Sequence, residues 1–159
     1  MALQAGDKLP EGTLKTMGTD GPTEITTESL FAGKKVAFFG VPGAFTPGCH
    51  KTHLPGYVNN ADAIKGKGFD DIICMAVNDV FVMAAWSTAS GADGKVTFVA
   101  DGSAAYTKAM DLVLDLSAVG MGVRSKRFSM VVNDGVIESI NIDNRSIDVT
   151  TAENTCSLG

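Results

Sequence analysis

The sequence predicts an α/β protein in which a central mixed β-sheet is covered on both faces by helices and preceded by an N-terminal β-hairpin. Three observations carry this. Short apolar runs alternate with segments of helical spacing, the pattern of strands joined by right-handed helical crossovers. Near the C-terminal end, Asn133-Asp134-Gly135 separates two apolar segments, and such a turn needs residues that tolerate positive φ. At 159 residues, with 45% hydrophobic and 19% charged residues, the chain has ordinary globular composition and length for one domain over residues 1–159.

Taken in order, Thr13 to Met17 and Thr23 to Thr26 alternate around Gly18-Thr19-Asp20-Gly21-Pro22, which predicts the hairpin. Lys35 to Phe39 is a continuous apolar run ending at Gly40, as in a strand buried on both faces. From Cys49 to Lys65 the residues Leu54, Tyr57, Val58, Ala61 and Ile64 recur at helical spacing, predicting a helix kinked at Pro55. Ile72 to Val77 is a second buried strand, and Asn78-Asp79 caps a helix through Phe81, Ala84, Ala85 and Thr88. Val96 to Val99 is a third strand, after which Asp101 or Ser103 caps a short helix over Ala104 to Met110. Phe128 to Val132 and Val136 to Ile142 form the second hairpin, and Thr150-Thr151-Ala152-Glu153 matches a capping box that opens a last helix. This order resembles a thioredoxin-like fold with an N-terminal extension and an inserted helix.

A formal charge of −5 and the absence of a basic tract argue against nucleic acid or an anionic membrane surface as partner. No apolar run approaches the roughly 18 residues of a membrane span. The N-terminus shows no targeting segment, so a cytoplasmic location is expected. Three cysteines without a secretion signal favour a reducing compartment and reactive or buried thiols over a disulfide framework.

The chemistry concentrates in Val41-Pro42-Gly43-Ala44-Phe45-Thr46-Pro47-Gly48-Cys49-His50. This stretch places Cys49 at a strand–loop–helix junction, where unpaired backbone N–H groups and the helix dipole favour a thiolate. Thr46, three residues earlier in a tight loop, offers a hydroxyl that donates to the sulfur and accepts from a second hydroxyl, so the loop suits an HO–O group. The bland reading of a free cysteine is a buried core residue. Cys49-His50-x-x-His53 supplies three potential metal ligands but no fourth and no Cys-x-x-Cys, so neither metal nor cofactor is expected. His53 is read as structural and His50 as a cap or solvent-facing group.

Pro42, Thr46 and Cys49 match the pattern of the peroxiredoxins, and the string Gly40 to Cys49 followed by Lys51-Thr52-His53-Leu54-Pro55-Gly56 resembles the type II, or peroxiredoxin-5, subfamily. Val77-Asn78-Asp79, Val99-Ala100-Asp101-Gly102 and Arg124-Ser125-Lys126-Arg127-Phe128-Ser129-Met130 extend the resemblance over most of the chain. The resemblance implies a thiol peroxidase acting on hydrogen peroxide and alkyl hydroperoxides. Cys49 would be the peroxidatic nucleophile and pass through a sulfenic acid, Thr46 would hydrogen-bond the peroxide, and Pro42 would shield the thiolate. Arg124, favoured over Arg127, would stabilise the charge. Cys156 is the candidate resolving cysteine, with Cys74, read as a buried core residue, the less favoured one. Glutathione with glutaredoxin, or thioredoxin, would be the reductant, and Gly43-Ala44-Phe45 with Phe81 would pair two copies as a homodimer. The alternatives are a peroxide-responsive sensor or chaperone using the same cysteine without efficient turnover, and a protein-disulfide oxidoreductase, disfavoured because no Cys-x-x-Cys exists.

Overall fold

Thr13–Gly18 (β1) and Gly21–Thr26 (β2) form the expected N-terminal hairpin, closed over Thr19-Asp20. The computed structural model describes residues 3–143 and 149–156, with the side chains of Glu153 and Cys156 outside that description. A short helix that the sequence reading missed, α1 (Thr27–Phe31), follows the hairpin and is capped by the Thr26 hydroxyl, which accepts from Ser29 N.

The strand β3 (Lys35–Val41) is buried on both faces as its composition requires. Ala37, Phe39 and Val41 lie in one apolar layer, and Val36 and Phe38 lie in the other. The next segment departs from the predicted single helix. A π-helical turn over Cys49–His53 leads into α2 (Leu54–Asn59), with Leu54 N donating five residues back to Cys49 O. Pro55 sits in the first turn of α2, where a missing N–H is tolerated. The break expected there falls instead at Asn60, before α3 (Ala61–Gly66), and the Asn60 side chain donates to Gly56 O at 2.7 Å.

Beyond it, β4 (Asp71–Ala76) leads to α4 (Val80–Ala89), whose cap is Asp79, accepting from Val82 N at 2.9 Å. β5 (Thr97–Ala100) leads to α5 (Ala105–Ala109), with Asp101 accepting from the Tyr106 and Thr107 amides. Two short strands absent from the sequence reading, β6 (Val113–Leu116) and β7 (Gly122–Ser125), pair as a separate ribbon. β8 (Arg127–Asn133) and β9 (Val136–Asp143) close over Asp134 and Gly135, both at positive φ as the hairpin demands. α6 (Ala152–Cys156) ends the described chain; its cap is Thr151, whose hydroxyl accepts from Asn154 N, rather than Thr150.

The large sheet has the order β2-β1-β5-β4-β3-β8-β9, with β3, β4 and β5 parallel and the other pairs antiparallel. Its two faces carry separate apolar layers, one built on Leu54, Tyr57, Cys74 and Trp86, the other on Phe31, Phe38, Tyr106 and Phe128. The thioredoxin-like mixed sheet flanked by helices is therefore the observed architecture.

Gly40 on β3 lies opposite Phe128 on β8, and a Cβ there would run into the Phe128 ring. Gly40→Ala is expected to destabilise the fold by about 1–3 kcal/mol through overpacking, read as a lower denaturant midpoint, and Phe128→Leu in the same chain to recover part of it. An unchanged midpoint in the single variant would contradict this packing.

Candidate active site

The register of β3 and β8 brings the site together. Gly40 pairs antiparallel with Phe128, so Arg127, one residue earlier, lies beside the C-terminal end of β3 where the cysteine loop begins. Side chains alternate along β8. Phe128, Met130 and Val132 enter one apolar layer, whereas Val131, and with it Arg127 and Ser129, faces the layer that contains Cys49.

There the Arg127 guanidinium donates from Nη2 to Cys49 Sγ at 3.1 Å. Its Nη1 donates to His53 Nδ1 at 2.8 Å. Cys49 is fully buried, and the guanidinium is the charged donor on its sulfur. The structure thus brings Arg127, the less favoured of the two arginines, to the sulfur. Arg124 lies on β7, in the separate ribbon, where Nε donates to Met121 O at 2.9 Å and Nη1 to Pro42 O at 3.3 Å. It braces the loop from outside and does not reach the sulfur by any hydrogen bond. A Cβ on Gly43 would stand 2.7 Å from Arg124 Nη1, so a side chain there would push the end of the arginine away from the loop.

The loop itself is tied in three further places. Ala44 N donates to Asn78 Oδ1 at 2.9 Å, and His50 N donates to Thr46 O at 2.8 Å. Thr46 Oγ1 donates to Gly43 O at 2.7 Å. The expected Thr46 hydrogen bond to sulfur is thus replaced by one to the loop backbone, which leaves the hydroxyl oxygen as an acceptor. Phe45, at φ 62°, turns outward and is half exposed.

The two histidines are engaged separately. Trp86 Nε1 donates to His50 Nδ1 at 3.0 Å. His53 is buried, its ring tilted against Phe39 at a centroid distance of 5.0 Å, with Nε2 bonded to Thr150 O at 3.0 Å. Burial is the main cause that lowers its pKa to about 3, and the Arg127 charge adds to it. The sequence reading takes His53 as structural and Arg127 as the less favoured arginine; the structure sets Arg127 between His53 and Cys49. The alternation of Phe128, Met130 and Val132 against Arg127, Ser129 and Val131 was the available signal for the arginine.

Cys74 is fully buried in the same layer, paired with Phe39 across β3 and β4. Burial pushes its thiol well up, the neighbouring Cys49 adds to this, and Arg127 opposes it. Its surroundings match the core-residue reading. The backbone of Cys156 belongs to α6, and its side chain, on which the resolving role depends, lies outside the described residues. Phe45 and Phe81, two of the residues assigned to a dimer face, are exposed, Phe81 at 63%.

A buried thiol under an arginine fork, at the end of an inner parallel strand of a thioredoxin-like sheet, defines a class of cysteine-based redox proteins. The sequence profile described as Redoxin matches residues 4–155. The chain is 47% identical over 142 residues to peroxiredoxin-2C of Oryza sativa subsp. japonica, covering 89% of this chain and 88% of that protein. Its structure is similar to reduced Prx3 of Vibrio vulnificus in complex with hydrogen peroxide (TM-score 0.92, 42% identity, 96% of each chain). It is also similar to peroxiredoxin 5 of Alvinella pompejana (TM-score 0.83, 32% identity, 94% of this chain and 92% of that one). The chain belongs to the peroxiredoxin family and is a thiol peroxidase, an oxidoreductase.

Because His53 is neutral in the folded chain down to about pH 3, an unfolded chain with an ordinary histidine takes up a proton that the folded one refuses below about pH 6.5. Stability from this group is complete above about pH 6.5 and falls by about 1.4 kcal/mol per pH unit as pH drops toward the folded value. Denaturant midpoints between pH 7 and pH 4.5 are expected to fall more steeply for wild type than for His53→Asn. Equal slopes would exclude a neutral buried imidazole.

Proposed function

We propose that Cys49 is the peroxidatic nucleophile and that Arg127, rather than Arg124, provides the charge the reaction needs. The observation that carries this reading is the 3.1 Å contact between Arg127 Nη2 and the Sγ of the fully buried Cys49. A charge-assisted donor there is in place before the reaction starts, where negative charge develops on the reacting oxygens. The thiolate attacks one oxygen of a hydroperoxide, an S–O bond forms, and the O–O bond breaks. The departing alkoxide or hydroxide takes up a proton and leaves as alcohol or water, and Cys49 is left as a sulfenic acid. Thr46, its own proton committed to Gly43 O, accepts from the peroxide O–H, and Pro42 covers the sulfur side of the loop.

Recycling requires a thiol that attacks the sulfenic sulfur and releases water, followed by reduction of the resulting disulfide. Glutathione with glutaredoxin, or thioredoxin, fits that step, and Cys156 is the internal thiol we assign to it ahead of Cys74. Two copies pair through the exposed Phe45 and Phe81 beside the site. The free thiols Cys49 and Cys74 suit a reducing compartment such as the cytoplasm.

Cys49→Ser is expected to abolish peroxide-dependent thiol consumption, and Arg127→Gln to slow the reaction with peroxide about a hundredfold. Arg124→Gln should cost much less, and a larger loss at Arg124 than at Arg127 would reverse the assignment. Intact mass after one equivalent of peroxide separates the recycling routes. An intramolecular disulfide that disappears in Cys156→Ser supports internal resolution, whereas an added oxygen retained on Cys49 supports the one-cysteine route. A protein that reacts once and then stalls in steady state would be a sensor. Sedimentation that shows only a 16.5 kDa species at micromolar concentration would end the dimer reading.

A further inference from the structure

We propose that His53 is a positioning residue for the peroxidase reaction: a neutral acceptor, its tautomer set by the C-terminal segment, that holds the Arg127 fork on Cys49 without cancelling its charge. This rests on Cys49 being the nucleophile.

The hydrogen-bond partners alone fix the state of the ring. Arginine only donates, so His53 Nδ1, 2.8 Å from Arg127 Nη1, must present its lone pair. A carbonyl only accepts, so Nε2, 3.0 Å from Thr150 O, must carry the proton. Both contacts demand the same neutral tautomer, and protonating Nδ1 would set a cation against the guanidinium. The charges that act on the ring are Arg127 on one side and Asp143 on the other.

Among the described residues the guanidinium has two acceptors, Cys49 Sγ through Nη2 and His53 Nδ1 through Nη1. One arm of a rigid planar fork is therefore anchored so that the other meets sulfur. A carboxylate at position 53 would anchor the same arm, yet its charge would offset the positive charge that the guanidinium presents to the sulfur. A neutral imidazole anchors and leaves that charge directed at sulfur.

The ring is in turn held by the tail. Thr150 O also accepts from the Tyr57 hydroxyl at 2.8 Å, and Thr150 Oγ1 donates to Asp143 Oδ2 at 2.6 Å. Tyr57 stacks on Phe39 with ring centroids 3.9 Å apart. Cys49, His53 and Tyr57 share one run of chain, so the nucleophile, the anchor of its arginine and the dock for the tail are spaced one turn apart.

The test compares His53→Asn, His53→Asp and His53→Leu in the full chain. Asparagine places Oδ1 where Nδ1 stood and stays neutral, aspartate is its isostere with a charge, and leucine removes the acceptor. Two readouts are taken: the rate of Cys49 oxidation by hydrogen peroxide at pH 7, and the ratio of iodoacetamide alkylation rates at pH 10 and pH 7, which reports the thiolate fraction. His53→Asn is expected to stay within about threefold of wild type, and Asp and Leu each to lose about tenfold or more with a raised alkylation ratio. Unchanged rates and ratios in Asp and Leu, with only the melting temperature lowered, would make His53 purely structural and overturn the proposal. So would an Asn variant as slow as Asp. If Leu fails to fold, the isosteric Asn and Asp pair still decides. Retained peroxidase activity in Cys49→Ser would remove the nucleophile reading and this proposal together. Loss of activity there, with flat ratios across the three variants, removes this proposal alone.

Discussion

The contact that organises the molecule is that of the Arg127 guanidinium with the buried sulfur of Cys49, Nη2 donating at 3.1 Å. Burying an unpaired thiolate would cost several kcal/mol. Much of the surrounding structure follows from placing the guanidinium within reach without exposing it. The arginine opens β8, β8 runs antiparallel to β3, and β3 ends where the Pro42 loop starts. A one-residue slip of that register would turn Arg127 to the opposite apolar layer and bring Phe128 toward the sulfur. Gly40, which admits the Phe128 ring, helps hold the register that the chemistry requires.

The sequence made much of this legible, but unevenly. The turn at Asp134-Gly135, the Asp79 cap and the buried run of β3 are local signals, each with a residue type that suits few other roles, and each was found where expected. The loop from Pro42 to Cys49 was legible for the same reason. That Arg127 rather than Arg124 meets Cys49 was not legible, because it depends on which face of β8 the residue occupies, a property of pairing and not of its neighbours in sequence. The π-helical turn was missed because shifting one hydrogen bond from four to five residues leaves the apolar spacing of Leu54, Tyr57 and Val58 almost unchanged. β6 and β7 were missed because they are short, half-exposed strands around Gly120 and Gly122 with no core pattern to reveal them.

The C-terminal segment is fastened by polar contacts in a place where apolar ones would be ordinary. Thr150, Thr155, Ser129 and Asp143 are all buried, and Thr155 Oγ1 bonds Ser129 Oγ at 2.6 Å. A network of this kind is directional. It holds the segment in one position when every partner is in place and loses much of its value when one is withdrawn. The segment that carries Cys156 therefore sits on the same group of side chains that steadies Arg127. The docking of the tail and the alignment of the charge on Cys49 are two readings of one arrangement.

Trp86 is the chain's single tryptophan, and its indole donates to the histidine immediately after Cys49. The ring is fully buried, packed edge-on against Phe98 and near Phe45 at the lip of the loop. A rearrangement of the π-helical turn that displaces the His50 ring disturbs this hydrogen bond. The protein's native fluorophore is thus hydrogen-bonded to the π-helical turn that carries Cys49. Its emission offers a label-free report on the surroundings of the thiol site.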